Sequence, residues 1–268
     1  MNEGVFRRDG EAFIPSDQSR GPWNPDFLHG GPVVGLMAHT LQEAAARPDL
    51  RLARLTVDLL RPVPKQPLTV ETQVVRPGKR LQILEGRLLA DGNEVTRASA
   101  LFLETGSPSV PEHGRFPPTG LTPPQEDNPR SLAEAAGWGT RYSPVGFHTT
   151  AQAVVLKGTR GNGHGQVWMR LPLPLIAGET TDPLVTAATL CDFGNGVGQL
   201  HLGENQGSIN ADVTLYLHRA PRGEWLGLEA TGRMQDNGMG LVETTLFDGD
   251  GPVGRVLQAT IAMGTAGS

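Results

Sequence analysis

Apolar side chains recur along this chain at two periods, first helical and then strand-like, and they do so twice in the same order. Val33, Val34, Met37, Ala38, Leu41 and Ala45 follow at near-helical spacing and predict a helix from about Gly31 to Ala46, with Pro32 suited to its first turn. Four segments of strand character come next: Leu52–Leu60, Leu68–Val75, Leu81–Ala90 and Glu94–Leu103. RPVPKQP, RPGKR and ADGN separate them, and Asp91-Gly92 predicts a hairpin turn. Ahead of the helix, a short strand is expected around Phe13 and Ile14.

The second block opens with TDPLVTAATLCDFGNGVGQL, Thr181 to Leu200, which predicts one buried helix. Asp182 suits the N-cap and Pro183 the first helical position, where a missing N–H costs nothing. Leu184, Val185, Ala187, Ala188, Leu190 and Cys191 leave little polar face, and Gly194 and Gly196 mark the end. Four strands are expected after it: Ser208–Leu217, Trp225–Met234, Gly240–Asp248 and Val253–Met263. Two more, Ala151–Leu156 and Gln166–Leu171, precede the helix. The glycine-rich GTRGNGHG between them opens no helix and reads as a hairpin, not a phosphate cradle. Between the two blocks, Gly106 to Arg130 is rich in proline and polar residues and reads as an extended linker or surface arm, followed by SLAEAAGW as a short helix.

The segments after the two helices match element for element: strand, Arg-Pro-like turn, strand, turn, long strand, Asp-Gly turn, final strand. Asp91-Gly92 falls on Asp250-Gly251 with one residue of slippage, and Ser99 then falls on Gln258. Such a repeat suggests duplication of one supersecondary block. A helix of about 15 residues is roughly 22 Å long and a seven-residue strand roughly 23 Å, so a twisted four-strand sheet can wrap one helix and bury it. Two such units can hide two open edges by pairing their sheets.

This arrangement resembles the double hotdog fold of the acyl-CoA thioesterase II family and its thioesterase-like relatives. FLHGGPVVGLMAHTL resembles the family's Gly-Gly opening of the first helix. LLRPVPKQPLTVETQVVRPGKRLQILEGRLLADGNEV is similar to the Arg-Pro, Arg-Gly-Lys/Arg and Asp-Gly series of its first sheet. YLHRAPRGEWLGLEATGRMQDNGMGLVETTLFDGDGPVGRVLQ resembles the His-Arg-Pro, Glu-Trp-Leu and Asp-Gly run that ends in a glutamine-bearing strand. The resemblance implies an α+β chain with an N-terminal hotdog over 1–105, a linker over 106–140 and a C-terminal hotdog over 141–268.

It also implies hydrolysis of acyl-CoA to a carboxylic acid and CoA, without a cofactor. In such enzymes an Asp of the second helix, a Thr or similar polar residue of the next strand and a Gln of the last strand hold the attacking water. These positions fall on Asp192, Asn210 and Gln258. Asn210 departs from the pattern: an amide can hydrogen-bond a water but does not reproduce a hydroxyl's geometry. Asp192 suits a general base, or a nucleophile forming a mixed anhydride. N–H groups at a helix start such as Gly30-Gly31 can stabilise the oxyanion. His29 reads either as a polar contact to the thioester or as a helix-start residue, and Cys191 as a buried spacer. Asp26 and His29 in NPDFLHGG loosely echo hotdog hydratases, which keeps a hydratase or dehydratase as one alternative. A non-catalytic acyl-thioester binding protein is another.

Bulk properties narrow the rest. A chain of 268 residues with net charge -5 and scattered basic residues argues against nucleic acid as a partner. Its single cysteine excludes an internal disulfide and fits a reducing compartment. No signal-peptide core or membrane span is visible, so the expectation is a cytoplasmic protein. The seven histidines show no metal-ligand spacing, and no G-x-S-x-G elbow is present. Arg61, Arg76, Lys79 and Arg80 are candidates for CoA phosphates but read better as solvated turn residues. Low aromatic content with many Leu, Val and Ala residues predicts an apolar groove of ordinary selectivity. Unpaired sheet edges make a homodimer a further expectation.

Overall fold

Helix α1, Gly30–Ala45, is buried on nearly every side, as its all-round apolar sequence requires. This is seen in a computed structural model that describes residues 3–45, 47–125, 129–138, 142–158, 161–203 and 206–264; Ala46, the expected last helical residue, lies outside them. Strands β3 (Leu50–Asp58), β4 (Leu68–Arg76), β5 (Leu81–Ala90) and β6 (Asn93–Glu104) wrap the helix. The Asp91-Gly92 turn forms as its sequence predicts. Ala90 pairs with Asn93, and both turn residues take positive φ, 48° and 74°, matching the twist of the flanking strands. A hairpin of β1 (Phe6–Asp9) and β2 (Ala12–Pro15) extends this sheet beside β4 and contains the strand expected at Phe13 and Ile14.

The second unit repeats the plan. The stretch expected to be one helix is two: α4 (Pro183–Cys191) and a single turn, α5 (Gly194–Val197). The Phe193 N–H bonds to the Leu190 carbonyl, three residues back, which tightens the turn and leaves Asp192 as the C-cap of α4. Asp182 caps the start, its carboxylate accepting from the Leu184 N–H at 2.8 Å. The strand expected over 208–217 is likewise divided at Ala211 into β9 (Gly207–Asn210) and β10 (Asp212–Leu217). The reason is topological: β9 pairs only with β13 (Gly251–Met263), whereas β10 pairs with both β13 and β3. Strands β11 (Leu226–Met234), β12 (Met239–Asp248), β8 (His164–Arg170) and β7 (Gln152–Gly158) complete the unit. GNGHG falls in the β7–β8 hairpin as expected, although Thr159 and Arg160 lie outside the described residues.

Both units share one antiparallel sheet in the order β1-β2-β4-β5-β6-β3-β10-β13-β12-β11-β8-β7. Its centre is the β3–β10 seam, where Thr56 pairs with Thr214 and their hydroxyl oxygens lie 3.3 Å apart. These two residues occupy equivalent places in the repeat, LTVD and VTLY, so they meet on a local two-fold axis. The seam also corrects one alignment. Thr56 faces Ser99 and Thr214 faces Leu257, so the counterpart of Gln258 is Ala100, not Ser99. Ala100 and Gln258 both point inward and are fully buried, whereas Ser99 lies on the outer face. Across the interior α1 packs on α4, with Gly35 directly against the Thr189 hydroxyl, where a Cβ would collide.

The proline-rich stretch is exposed but anchored to the second unit. Phe116 stacks on His218 at 3.8 Å, and Leu121 packs on Trp168, Trp225 and Phe247. Ser131 then caps the single-turn helix α2 (Leu132–Ala135) with Glu134 in a reciprocal capping box, and α3 (Phe147–Thr150) precedes β7.

The Arg-Pro-like and Asp-Gly turns of the second unit meet at one ion pair. Asp248 is fully buried and accepts from Arg219 Nη1 and Nη2 at 2.5 and 2.7 Å, and from the Arg222 and Asp250 N–H groups at 2.8 Å each. Burial raises the carboxyl's pKa, but Arg219 and the two N–H groups outweigh it, so the group is held below its ordinary value. Its stabilising contribution is therefore present above the unfolded carboxylate's pKa and lost as pH falls through the folded one. Asp248→Asn is expected to cost about 2 kcal/mol at pH 7. In urea titrations the gap between variant and parent should close toward pH 3; a gap of equal size at both pH values would assign the loss to packing.

Candidate active site between the two helices

Asp192 sits where the start of α1 and the end of α4 meet. Its residue is 6% exposed, and its two carboxylate oxygens have different neighbours. Oδ1 accepts from Asn210 Nδ2 at 2.8 Å and from Gln258 Nε2 at 3.3 Å. Oδ2 faces the start of α1, 3.1 Å from His29 Nδ1. Gly30 permits this approach, because a Cβ there would lie 2.7 Å from Oδ2. The fold thus brings together Asp192, Asn210, Gln258, His29, Gly30 and Gly31 from separate stretches of sequence.

Gly31 donates its N–H to His29 Nδ1 at 3.0 Å. That bond uses the nitrogen's lone pair, so while it is in place Nδ1 neither donates to Oδ2 nor accepts from it. With a proton on Nδ1 instead, the histidine donates to Oδ2 and releases the Gly31 N–H. One proton decides between the two arrangements. The Gly30 N–H lies in the first turn of α1, where helix geometry supplies no carbonyl partner. His29 is packed between rings, 4.7 Å from Phe193 and 5.4 Å from Phe147.

Asn210 Oδ1, Gln258 Oε1 and Thr244 Oγ1 are buried without a hydrogen-bond partner among the described residues. Thr244, on β12, is a residue that the sequence alone does not single out. The close packing of Gly194 against both Thr244 Oγ1 and Gln258 Oε1 brings it to the site. Cys191 fits its expected role as a spacer: it is fully buried, donates to the Ala188 carbonyl, and burial with the neighbouring Asp192 pushes its thiol up.

A cavity of ≈ 360 Å³ opens in front of the carboxylate, lined by His29, Gly30, Asp192 and Asn210. Its walls are largely apolar, as expected, and much of that surface is aromatic. Two of the chain's four tryptophans, Trp23 and Trp138, line it together with Tyr142, Phe27 and Phe193. Gln258 lies behind Asp192 and is fully buried. Asp26 is exposed, so the carboxylate near His29 comes from the other half of the chain. Arg61, Arg76, Lys79 and Arg80 are exposed turn or strand-end residues, with Arg80 paired to Glu104 at 3.0 Å.

Apart from this site, the fold gathers His39, Glu43 and Glu179 with their ligand atoms within 4.8 Å, a grouping not evident from spacing. Arg8 occupies it, with Nη2 3.0 Å from both Glu43 oxygens and 3.1 Å from His39, and so supplies the positive charge. Burial lowers the pKa of His39 against the pull of Glu43 and Glu179.

Two helix-plus-sheet halves in one chain, sharing one continuous sheet, define a double hotdog fold. A family model for the N-terminal domain of acyl-CoA thioesterases matches residues 19–103, and one for the C-terminal domain matches residues 115–262. The chain belongs to the acyl-CoA thioesterase family. Among solved structures it is similar to a candidate thioesterase II from Thermobifida fusca, at 16% identity over 98% of this chain and 96% of that one, with a TM-score of 0.71. An acyl-CoA thioesterase II from Mycobacterium marinum shares 18% identity over 98% and 97%, with a TM-score of 0.68. A dehydratase domain from the CurJ module of curacin polyketide synthase shares the fold at 12% identity over 87% and 82%, with a TM-score of 0.51. No curated protein matches the chain. Among the described residues no helix is long and apolar enough to cross a membrane.

Gly30→Ala is expected to push Oδ2 off its position and lower kcat about tenfold or more, since misplacement on the ångström scale is costly in catalysis. Steady-state kinetics beside a thermal melt checks this. Unchanged kcat with an unchanged melt would show that Oδ2 has room to move.

Proposed function

We propose that this chain hydrolyses acyl-CoA with Asp192 as the reacting carboxylate, and that its Oδ2 is the reacting oxygen. The observation that carries this is the asymmetry of the carboxylate: two amides hold Oδ1, while Oδ2 faces the helix start at the edge of the cavity. The Asn210 carbonyl oxygen accepts from the attacking water, and Oδ2 takes its proton. The proton then sits on Oδ2, 3.1 Å from His29 Nδ1, whose lone pair is free to receive it only when the Gly31 N–H bond opens. Gln258 acts as a positioning residue, because its amide orients the carboxylate from behind. The Gly30 N–H is the oxyanion donor of choice, since the Gly31 N–H is engaged by His29. The alternative role of Oδ2 as a nucleophile uses the same geometry and gives a mixed anhydride, with water then regenerating the carboxylate.

One observation supports a second reading. A His and an Asp 3.1 Å apart form an acid–base pair that also suits addition of water to an enoyl-CoA. Thiol release and loss of enoyl absorbance separate the two reactions.

Asp192→Asn is expected to reduce CoA release by at least about a hundredfold while leaving the fold intact. Thiol release from short, medium and long acyl-CoAs, with parent and variant side by side, checks this. Full activity in the variant would move the chemistry elsewhere in the cavity. Absent release with retained acyl-CoA binding would favour the binding-protein reading.

A further inference from the structure

The cavity in front of Asp192 is walled by aromatic rings that both halves of the chain bring together. Trp23 sits on the turn between Ser19 and His29, a loop closed by the Gly21 N–H to Phe27 carbonyl bond at 2.8 Å. Tyr142 comes from the segment before α3. The two segments are tied by the Ser143 N–H to Pro22 carbonyl bond at 3.0 Å and the Phe147 N–H to Arg20 carbonyl bond at 2.9 Å. His148 fixes the second segment further through Nε2 to the Ser143 carbonyl at 2.9 Å. The rings themselves meet edge to face, Trp23 on Tyr142 at 4.8 Å and 82°, and Tyr142 on Trp138 at 5.5 Å and 68°. Trp138 in turn closes over Gly196, whose absent side chain leaves the ring its place. Trp23 is 56% exposed, so much of its ring remains open to a ligand in the cavity it lines.

Alternating edges and faces form a wall that suits a flat π-system better than a flexible chain. The volume points the same way, because ≈ 360 Å³ is near the lower end for ligand pockets and holds a ring with a short spacer. Asp192 stands in the same cavity, so the thioester carbonyl must lie here. A ring seated against this wall therefore belongs to the acyl side, since the adenine of CoA is at the far end of the pantetheine arm. We propose that the preferred substrates are thioesters of aromatic acyl groups, with Trp23, Tyr142 and Trp138 as the residues that determine this specificity. The proposal rests on the thioesterase reading above.

The test compares phenylacetyl with hexanoyl thioesters, each as the CoA and as the N-acetylcysteamine derivative, which has no adenine. The expected kcat/KM is about three- to tenfold higher for phenylacetyl in both series, the range that ring–ring contacts provide. Trp23→Leu keeps apolar area at an exposed position and should erase most of that ratio; Tyr142→Leu gives a second check. Equal or better turnover of hexanoyl, a preference seen only with the CoA series, or an unchanged ratio in both variants would overturn the proposal. Calorimetry with phenethyl-CoA and hexyl-CoA thioethers separates the two levels of argument. Tighter binding of the phenethyl thioether without hydrolysis of any thioester would sink the catalytic reading alone. Equal binding would sink the aromatic preference alone.

Discussion

The close approach of the two central helices is the constraint on which the site depends. Gly31 and Gly35 of α1 lie against Thr189 of α4, where larger side chains would hold the backbones apart. One helical turn beyond Thr189 comes Asp192, which the same approach presses against Gly30. The β3–β10 seam enforces this from the other side, since a sheet continuous through both units leaves the helices one place to meet. Packing and chemistry are thus set by the same contact.

Keeping a carboxylate there runs against two effects. Burial removes its hydration, and the C-cap of α4 places it at the negative end of that helix dipole. The fold offsets both by placing Oδ2 at the positive end of α1 and Oδ1 under two amide donors. The donors come from β9 and β13, which pair with each other through Asn210 and Thr260. Splitting the expected long strand at Ala211 is what turns Asn210 toward the helix while β10 continues into the seam. The first unit has no equivalent set, because Ala100 stands where the second unit has Gln258.

The aromatic wall shows what composition leaves open about a site. The chain is poor in aromatic residues, yet rings from the 20–28 turn and the segment before α3 converge on one cavity. Backbone bonds between Ser143 and Pro22 and between Phe147 and Arg20 create that convergence, and nothing in local sequence signals them. The His39, Glu43 and Glu179 grouping makes the same point. Two of its members are an i, i+4 pair on α1, but the third arrives from the loop before α4.

The sequence by itself determined the two helix-and-sheet units, their repeat, the Asp91-Gly92 turn, the cap at Asp182 and the candidacy of Asp192. The units, the turn and the cap rest on local periodicity or turn chemistry, which neighbouring residues fix without reference to the rest of the chain, whereas the candidacy of Asp192 came from the family resemblance of the motif series. Only the tertiary structure decided that the second helix breaks at Asp192, that Asn210 and Gln258 hold the carboxylate itself, that His29 faces it from the other half, and that rings line the cavity. Those outcomes depend on contacts between residues far apart in sequence, and the geometry of such contacts is set by how the two units pack.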